Sequence, residues 1–124
     1  MNTDRPVNLA LTKFRFPLTA LMSITHRITG VLLFVGMALL LYLLHLALGS
    51  EQGYQDALSL LAQPLVKFLV WVVLAALAVH LIAGIKHLLL DLHIADGKES
   101  GHRATQVSIL LSVILVILAG VWIW

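Results

Sequence analysis

The chain has 124 residues, of which 60% are hydrophobic and 11% are charged, whereas a soluble globular domain is about 45–50% apolar and about 25% charged. These proportions indicate a membrane protein, and the excess of eight Lys and Arg over six Asp and Glu is too small to suggest nucleic-acid binding. The sequence contains no cysteine, which excludes disulfides and thiolate metal sites.

The N-terminal segment, residues 1–20, is expected to lie on the cytoplasmic surface of the membrane. Its three cations are interspersed with apolar side chains, and Pro6 and Pro17 interrupt any continuous helix. The first apolar run, Ile28–Leu48, is too long for the apolar core of a signal peptide, so we expect no cleavage after Gly49.

Three apolar runs are long enough to cross the hydrocarbon core, which takes about 20 helical residues. We predict transmembrane helices over residues 21–48, 64–92 and 103–124, joined by a polar connection over 49–64 and a solvated turn over 93–103. Because these helices consume most of the chain, residues 1–124 form a single membrane domain. The expected fold is an all-α membrane protein with three transmembrane helices in an up-down-up bundle.

Lys and Arg are distributed unevenly between the two ends of this bundle. They are frequent in the N-terminal segment, which is followed by Arg27, and around the second connection, which is preceded by Lys86. The first connection has only Lys67 at its edge, and the C-terminal end has none. Since cytoplasmic loops carry the excess of Lys and Arg, the N-terminus is predicted to be cytoplasmic and the C-terminus external.

The second predicted helix carries a narrow polar stripe near its end. At about 100° per residue, His80, Gly84, His87 and Asp91 fall on one side of the helix. A histidine inside the membrane is a candidate functional residue. His80 could be an axial haem ligand, since neutral imidazole binds iron. Alternatively, it could form a hydrogen bond between helices that approach closely at Ala76 and Gly84.

The remaining polar residues of this region permit simpler interpretations. His87 could ligate a second haem, but we favour an interfacial polar side chain. Lys86 is expected to extend to the membrane interface, and Asp91 to be solvated or to cap the helix. Three further histidines are expected to be structural or solvated: His45, His93 and His102.

The first helix carries a second polar face, at the same depth as His80. Ser23, His26, Arg27 and Gly30 share this face because they are spaced three, four and seven residues apart. Arg27 lies just inside the apolar zone, at a cost of about 3 kcal/mol unless it meets an anion or acceptor. A haem propionate, a quinone carbonyl or a partner carboxylate would serve, or the side chain extends to the interface. Ser23 could donate to a carbonyl oxygen or bond back to its own helix.

Two signatures carry a family resemblance. The first comprises Arg5-Pro6-Val7, Leu11, Leu18 and Ser23-Ile-Thr-His26-Arg27-Ile-Thr29-Gly30. The second is His80-x-x-x-Gly84-Ile-Lys86-His87-Leu-x-x-Asp91. Together they resemble the cytochrome b large anchor subunit of succinate dehydrogenase (succinate:quinone oxidoreductase, complex II) over nearly the whole chain. The chain departs from the family at Lys86, where arginine is usual, and at Leu90, where an aromatic residue or methionine is common.

The resemblance implies a role for each of these residues. His80 would be one axial ligand of a single haem b, the other coming from a histidine of a small membrane-anchor subunit. Ser23 and Arg27 would line the ubiquinone pocket. His26 and Arg27 would lie near the haem propionates, with His87 as a further candidate for the haem pocket.

The resemblance also implies the partners and the location. In the family, electrons from succinate pass through a flavoprotein subunit and an iron–sulfur subunit to quinone, so this chain alone is not expected to be catalytic. A bacterial inner membrane is favoured over the mitochondrial one. One alternative is a haem-free structural anchor, as in related fumarate reductases. Another is an ion or proton carrier that uses His80 and His87, but this predicts polar residues along Phe68–Val79, where there are none.

Overall fold

The computed structural model describes residues 17–94 and 97–124, and within them the chain forms α-helices and no strand. The four helices are α1 (Leu18–Gly49), α2 (Glu51–Ala62), α3 (Pro64–Asp91) and α4 (Lys98–Ile123). Helices α1, α3 and α4 are long and apolar enough to cross a membrane, which confirms the expected all-α membrane fold. The expected surface segment lies outside the described residues, apart from its last four.

Helices α1 and α3 run antiparallel and pack closely. A Cβ atom built on Gly30 would lie 3.2 Å from Cε1 of His80, whereas one built on Gly36 would lie 2.5 Å from Val73. A later residue of α1 therefore contacts an earlier residue of α3, as antiparallel packing requires. Without side chains at these glycines, the two helices can approach closely, as is common in membranes.

Helix α4 packs against α3 through one aromatic anchor and a row of small polar residues. The indole Nε1 of Trp71 donates to the carbonyl oxygen of Val116 at 3.1 Å, and Gly120 leaves room for the ring. Each hydroxyl of the row donates to a carbonyl oxygen one turn earlier in α4, so its burial leaves no unpaired donor. The row consists of Thr105, Ser108 and Ser112.

The segment predicted as a polar connection contains helix α2. Ser50 caps this helix, because its Oγ accepts a hydrogen bond from the backbone N–H of Gly53 at 2.9 Å. Gly53 and Ala57 are buried, and a Cβ atom on Gly53 would collide with the carbonyl oxygen of Leu46 in α1. Helix α2 is thus seated directly on the backbone of α1.

Helix α4 begins at Lys98, five residues earlier than the apolar pattern predicted. The additional turn is polar and is stabilised locally. Ser100 Oγ donates to the carbonyl oxygen of Gly97 at 2.9 Å, and Arg103 forms an ion pair with Glu99 at 2.7 Å. The apolar run defines only the part of a helix that lies in lipid, so it could not predict this turn.

Candidate functional site: an imidazole cluster

His80 is held by α1 through one ring nitrogen. Its Nδ1 lies 3.0 Å from the carbonyl oxygen of His26 and 3.2 Å from Oγ1 of Thr29. Because a carbonyl oxygen only accepts, Nδ1 must carry the hydrogen, and in the neutral ring Nε2 keeps its lone pair. The Thr29 hydroxyl donates within α1, to the carbonyl oxygens of Thr25 or His26 at 2.9 and 3.0 Å, so its oxygen is available to accept from Nδ1.

Three histidine rings lie together at this contact, and we refer to His26, His80 and His87 as the imidazole cluster. The rings of His26 and His80 stack, with centroids 3.9 Å apart and planes 12° apart. His87 meets His26 edge-on, at 5.4 Å and 84°. All three are half-buried. In the described part of the chain, no three His, Cys, Asp or Glu side chains are placed to hold a metal ion.

Two glycines make room for the stacked rings. Gly30 on α1 faces His80, and Gly84 on α3 faces His26, with Nε2 of His26 lying 3.3 Å from a Cβ built on Gly84. Gly84 therefore contacts the imidazole of the neighbouring helix, as in the helix-contact interpretation of the sequence. The reciprocal role of Gly30 was not predicted. Its signal is the spacing His-x-x-x-Gly, which His26 and Gly30 on α1 share with His80 and Gly84 on α3, so that the two pairs interlock when the helices are antiparallel. His45 and Gly49 have the same spacing, but a Cβ atom on Gly49 would meet nothing within 4 Å.

The two predicted quinone residues are placed differently from the imidazole cluster. Ser23 is half-buried, and Arg27 is exposed. Among the described residues, no hydrogen bond or ion pair joins either of them to the imidazole cluster. Arg27 follows His26 directly, but the chain does not enclose it with His80 in a common pocket. Its guanidinium is accessible from outside the bundle, to lipid, a ligand or another chain.

Lys86, which was expected to extend to the membrane interface, has a stem that lies inside the contact between two helices. Only 4% of the residue is exposed, because it lies where α3 faces α4. Asp91 is exposed, as expected, and the three histidines outside the imidazole cluster are exposed as well: His45, His93 and His102.

Comparison with known proteins agrees with this arrangement of apolar helices. The profile of the succinate dehydrogenase/fumarate reductase transmembrane subunit family matches residues 1–119. The chain is similar to the succinate dehydrogenase cytochrome b556 subunit of Coxiella burnetii (strain RSA 493 / Nine Mile phase I), with 45% identity over 125 residues that cover all of both chains. It is also similar to the succinate dehydrogenase cytochrome b556 subunit of Paracoccus denitrificans, with 33% identity over 115 residues that cover 93% of this chain and 88% of the relative. The chain therefore belongs to the succinate dehydrogenase cytochrome b family, the membrane-anchor subunits of complex II.

Proposed function

We propose that this chain is the haem b-binding membrane anchor of a succinate:ubiquinone oxidoreductase and forms part of its quinone-reduction site. The observation that carries the proposal is the hydrogen bond from Nδ1 of His80 to the carbonyl oxygen of His26. A histidine that ligates a metal almost always donates its other ring N–H to a carbonyl or carboxylate. His80 has this second contact already, and the lone pair of Nε2 is free for iron.

The residues around His80 fit a haem. Imidazole is a suitable axial donor, and the second axial ligand would come from a histidine of the small anchor subunit. The anionic propionates would be held by His26 and Arg27, with His87 as a further donor at the edge of the imidazole cluster. When bound, haem b stores and passes on one electron. The contribution of this chain is to orient His80 and to supply positive charge beside the propionates.

The exposed side of α1 suits a quinone. Ser23 would donate a hydrogen bond to one quinone oxygen, and Arg27 would balance the negative charge that develops on the oxygen during reduction. Ile24 and Ile28 flank Arg27 and are 41% and 56% exposed. A polar ring with an apolar tail could therefore contact the guanidinium and the isoleucines together. The pocket is completed by other chains, since Arg27 lies on the outside of this one.

The complete enzyme would contain three further kinds of subunit. A flavoprotein subunit oxidises succinate, an iron–sulfur subunit carries the electrons, and a small membrane anchor packs beside α1 and α3. We place the assembly in a bacterial inner membrane, with the N-terminus of this chain in the cytoplasm.

The haem assignment is tested by His80→Leu in the complete complex, with His45→Leu as the matched control. Leucine cannot ligate iron, so haem measured as the pyridine haemochrome should fall to background, whereas the exposed His45 should be replaceable without loss. Full haem content in His80→Leu would refute the ligand. A wild-type complex without haem would instead support the haem-free anchor found in related fumarate reductases.

The quinone assignment is tested by Arg27→Ala. Loss of one charge-stabilising donor should lower quinone reduction by about 100- to 1,000-fold, while succinate oxidation with a soluble dye acceptor stays unchanged. Lys67→Ala, a cation at the other end of the bundle, serves as the control and should leave both activities intact. Equal loss of both activities in Arg27→Ala would indicate a role in folding or assembly.

A further inference from the structure

We propose that the groove between α3 and α4 binds one anionic phospholipid, whose phosphate is held by Lys86. The groove has a volume of about 280 Å³, and its walls are apolar except for Lys86 and Ser108. The imidazole cluster lies between α1 and α3, on a different contact of α3, and the proposal does not depend on haem or quinone.

The first observation is the state of Lys86. The residue is 96% buried, by its 4% exposure, yet it forms no ion pair or hydrogen bond with any described residue. Arg103, by contrast, is paired with Glu99. No described side-chain nitrogen is both buried and without a hydrogen-bond partner, so the ammonium group of Lys86 is the exposed tip of a buried stem. A cation at the edge of the lipid is stabilised by an anion. Ser108, on the facing helix, is uncharged and offers a hydroxyl oxygen alone.

The second observation is the position of the groove relative to the bilayer. Its outer walls include Ile85, Leu89 and Val107, which are 46%, 41% and 55% exposed, so the groove opens towards lipid. Lys86 lies five residues before the end of α3, or about 7.5 Å along the helix axis. Its long side chain can therefore reach the level of the head groups while its stem stays among apolar atoms.

The size of the groove suits one acyl chain of a lipid better than a small molecule that is fully enclosed. Its volume of about 280 Å³ falls just below the range of about 300–1,000 Å³ typical of pockets that enclose small molecules. One acyl chain can lie along the apolar walls without being enclosed. An anionic phospholipid supplies both this acyl chain and a negatively charged partner for Lys86.

The test is lipid binding to the purified complete complex, measured by native mass spectrometry with added phosphatidylglycerol or phosphatidylcholine. Lys86→Gln should weaken phosphatidylglycerol binding at one site by about fivefold, the contribution of one basic side chain near an anionic lipid. Phosphatidylcholine binding should not change. Lys86→Arg should retain the site, and Lys67→Gln, a charge removal in the same helix at its other end, should have no effect.

A second measurement uses the wild-type complex and does not depend on how the variants assemble. Photoreactive phosphatidylglycerol should cross-link to peptides of α3 and α4 around the groove. Cross-links confined to other surfaces would overturn the proposal, as would unchanged phosphatidylglycerol binding in Lys86→Gln. A carbodiimide cross-link from Lys86 to a carboxylate, whether Asp96 of this chain or an acid of another subunit, would show that a protein anion occupies the place assigned to the lipid.

Discussion

At the scale of single residues, we expect Thr29 to influence the proposed haem ligand, His80. Its Oγ1 is a second acceptor for Nδ1 of His80, at 3.2 Å. When a ligating imidazole donates its other N–H in a hydrogen bond, it becomes more electron-donating towards the metal. Thr29→Val keeps the shape but removes this acceptor. We expect haem to be retained and its midpoint potential to rise by about 20–40 mV, the equivalent of about 0.5–1 kcal/mol for a one-electron couple.

The control for this prediction is Thr25→Val, one turn earlier on the same helix. Its hydroxyl bonds only to the carbonyl oxygen of Leu21 among the described residues, so the potential should not move. A redox titration of the purified complexes compares the two variants. Equal potentials in wild type and Thr29→Val would show that the Thr29 contact does not influence the ligand.

Helical spacing and depth could predict that His26 and His80 lie at the same level on neighbouring helices. They could not predict the hydroxyl contact of Thr29, which depends on the rotation of α1 about its axis to within part of a turn. The same rotation turns Arg27 outward, although it shares a broad face with His26 in a helical projection. Sequence spacing defines a helix face about 100° wide, and packing against the neighbouring helices decides which residues of that face point into the contact.

At the scale of elements, the close packing of α2 against α1 depends on Gly53. Gly53→Ala places a methyl group against the carbonyl oxygen of Leu46, and overpacking of this kind costs about 1–3 kcal/mol. We expect a lower apparent melting temperature of the purified complex. The haem spectrum should be unchanged, because His26 lies about 35 Å along α1 from Gly49, at 1.5 Å per residue.

Gly49→Ala provides the matched control. A Cβ atom on Gly49 meets nothing within 4 Å, so the substitution should leave stability unchanged or raise it slightly through better helix propensity. The difference between the two variants isolates the contact with α1 from the general effect of alanine in a helix. Equal melting temperatures would mean that α2 shifts away from α1 without cost.

Membrane helices are predicted well from hydrophobic length, and α1 and α3 end within one residue of the predicted positions. Short polar helices are not predicted in this way, because they have no long apolar run. The first half of helix α2 consists of two acids, two glutamines, a glycine and a tyrosine, a composition typical of a connection. Only Ser50 as a capping residue and Pro64 as the start of α3 indicate the limits of this helix. Its stability comes from burial of Gly53 and Ala57, which sequence patterns do not reveal.

At the scale of the whole molecule, the antiparallel packing gathers the cations at one end. The start of α1 and the turn between α3 and α4 lie together, so Arg27, Lys98 and Arg103 lie towards the same membrane surface. The opposite end, with α2 and the end of α4, has Lys67 alone within the described residues. This charge asymmetry is the basis on which the N-terminus is predicted to be cytoplasmic.

The absence of cysteine from the sequence allows the orientation to be tested with single cysteines in an otherwise unchanged chain. Ser59→Cys on α2 and His102→Cys on α4 both replace exposed residues. A maleimide that does not cross membranes should label Ser59→Cys in intact spheroplasts, but His102→Cys only after the membrane has been dissolved, because the positive end is held on the cytoplasmic side. The unsubstituted chain sets the background. The reverse pattern would place the imidazole cluster in the outer half of the membrane, where an iron–sulfur subunit in the cytoplasm could not deliver electrons to a quinone beside Arg27.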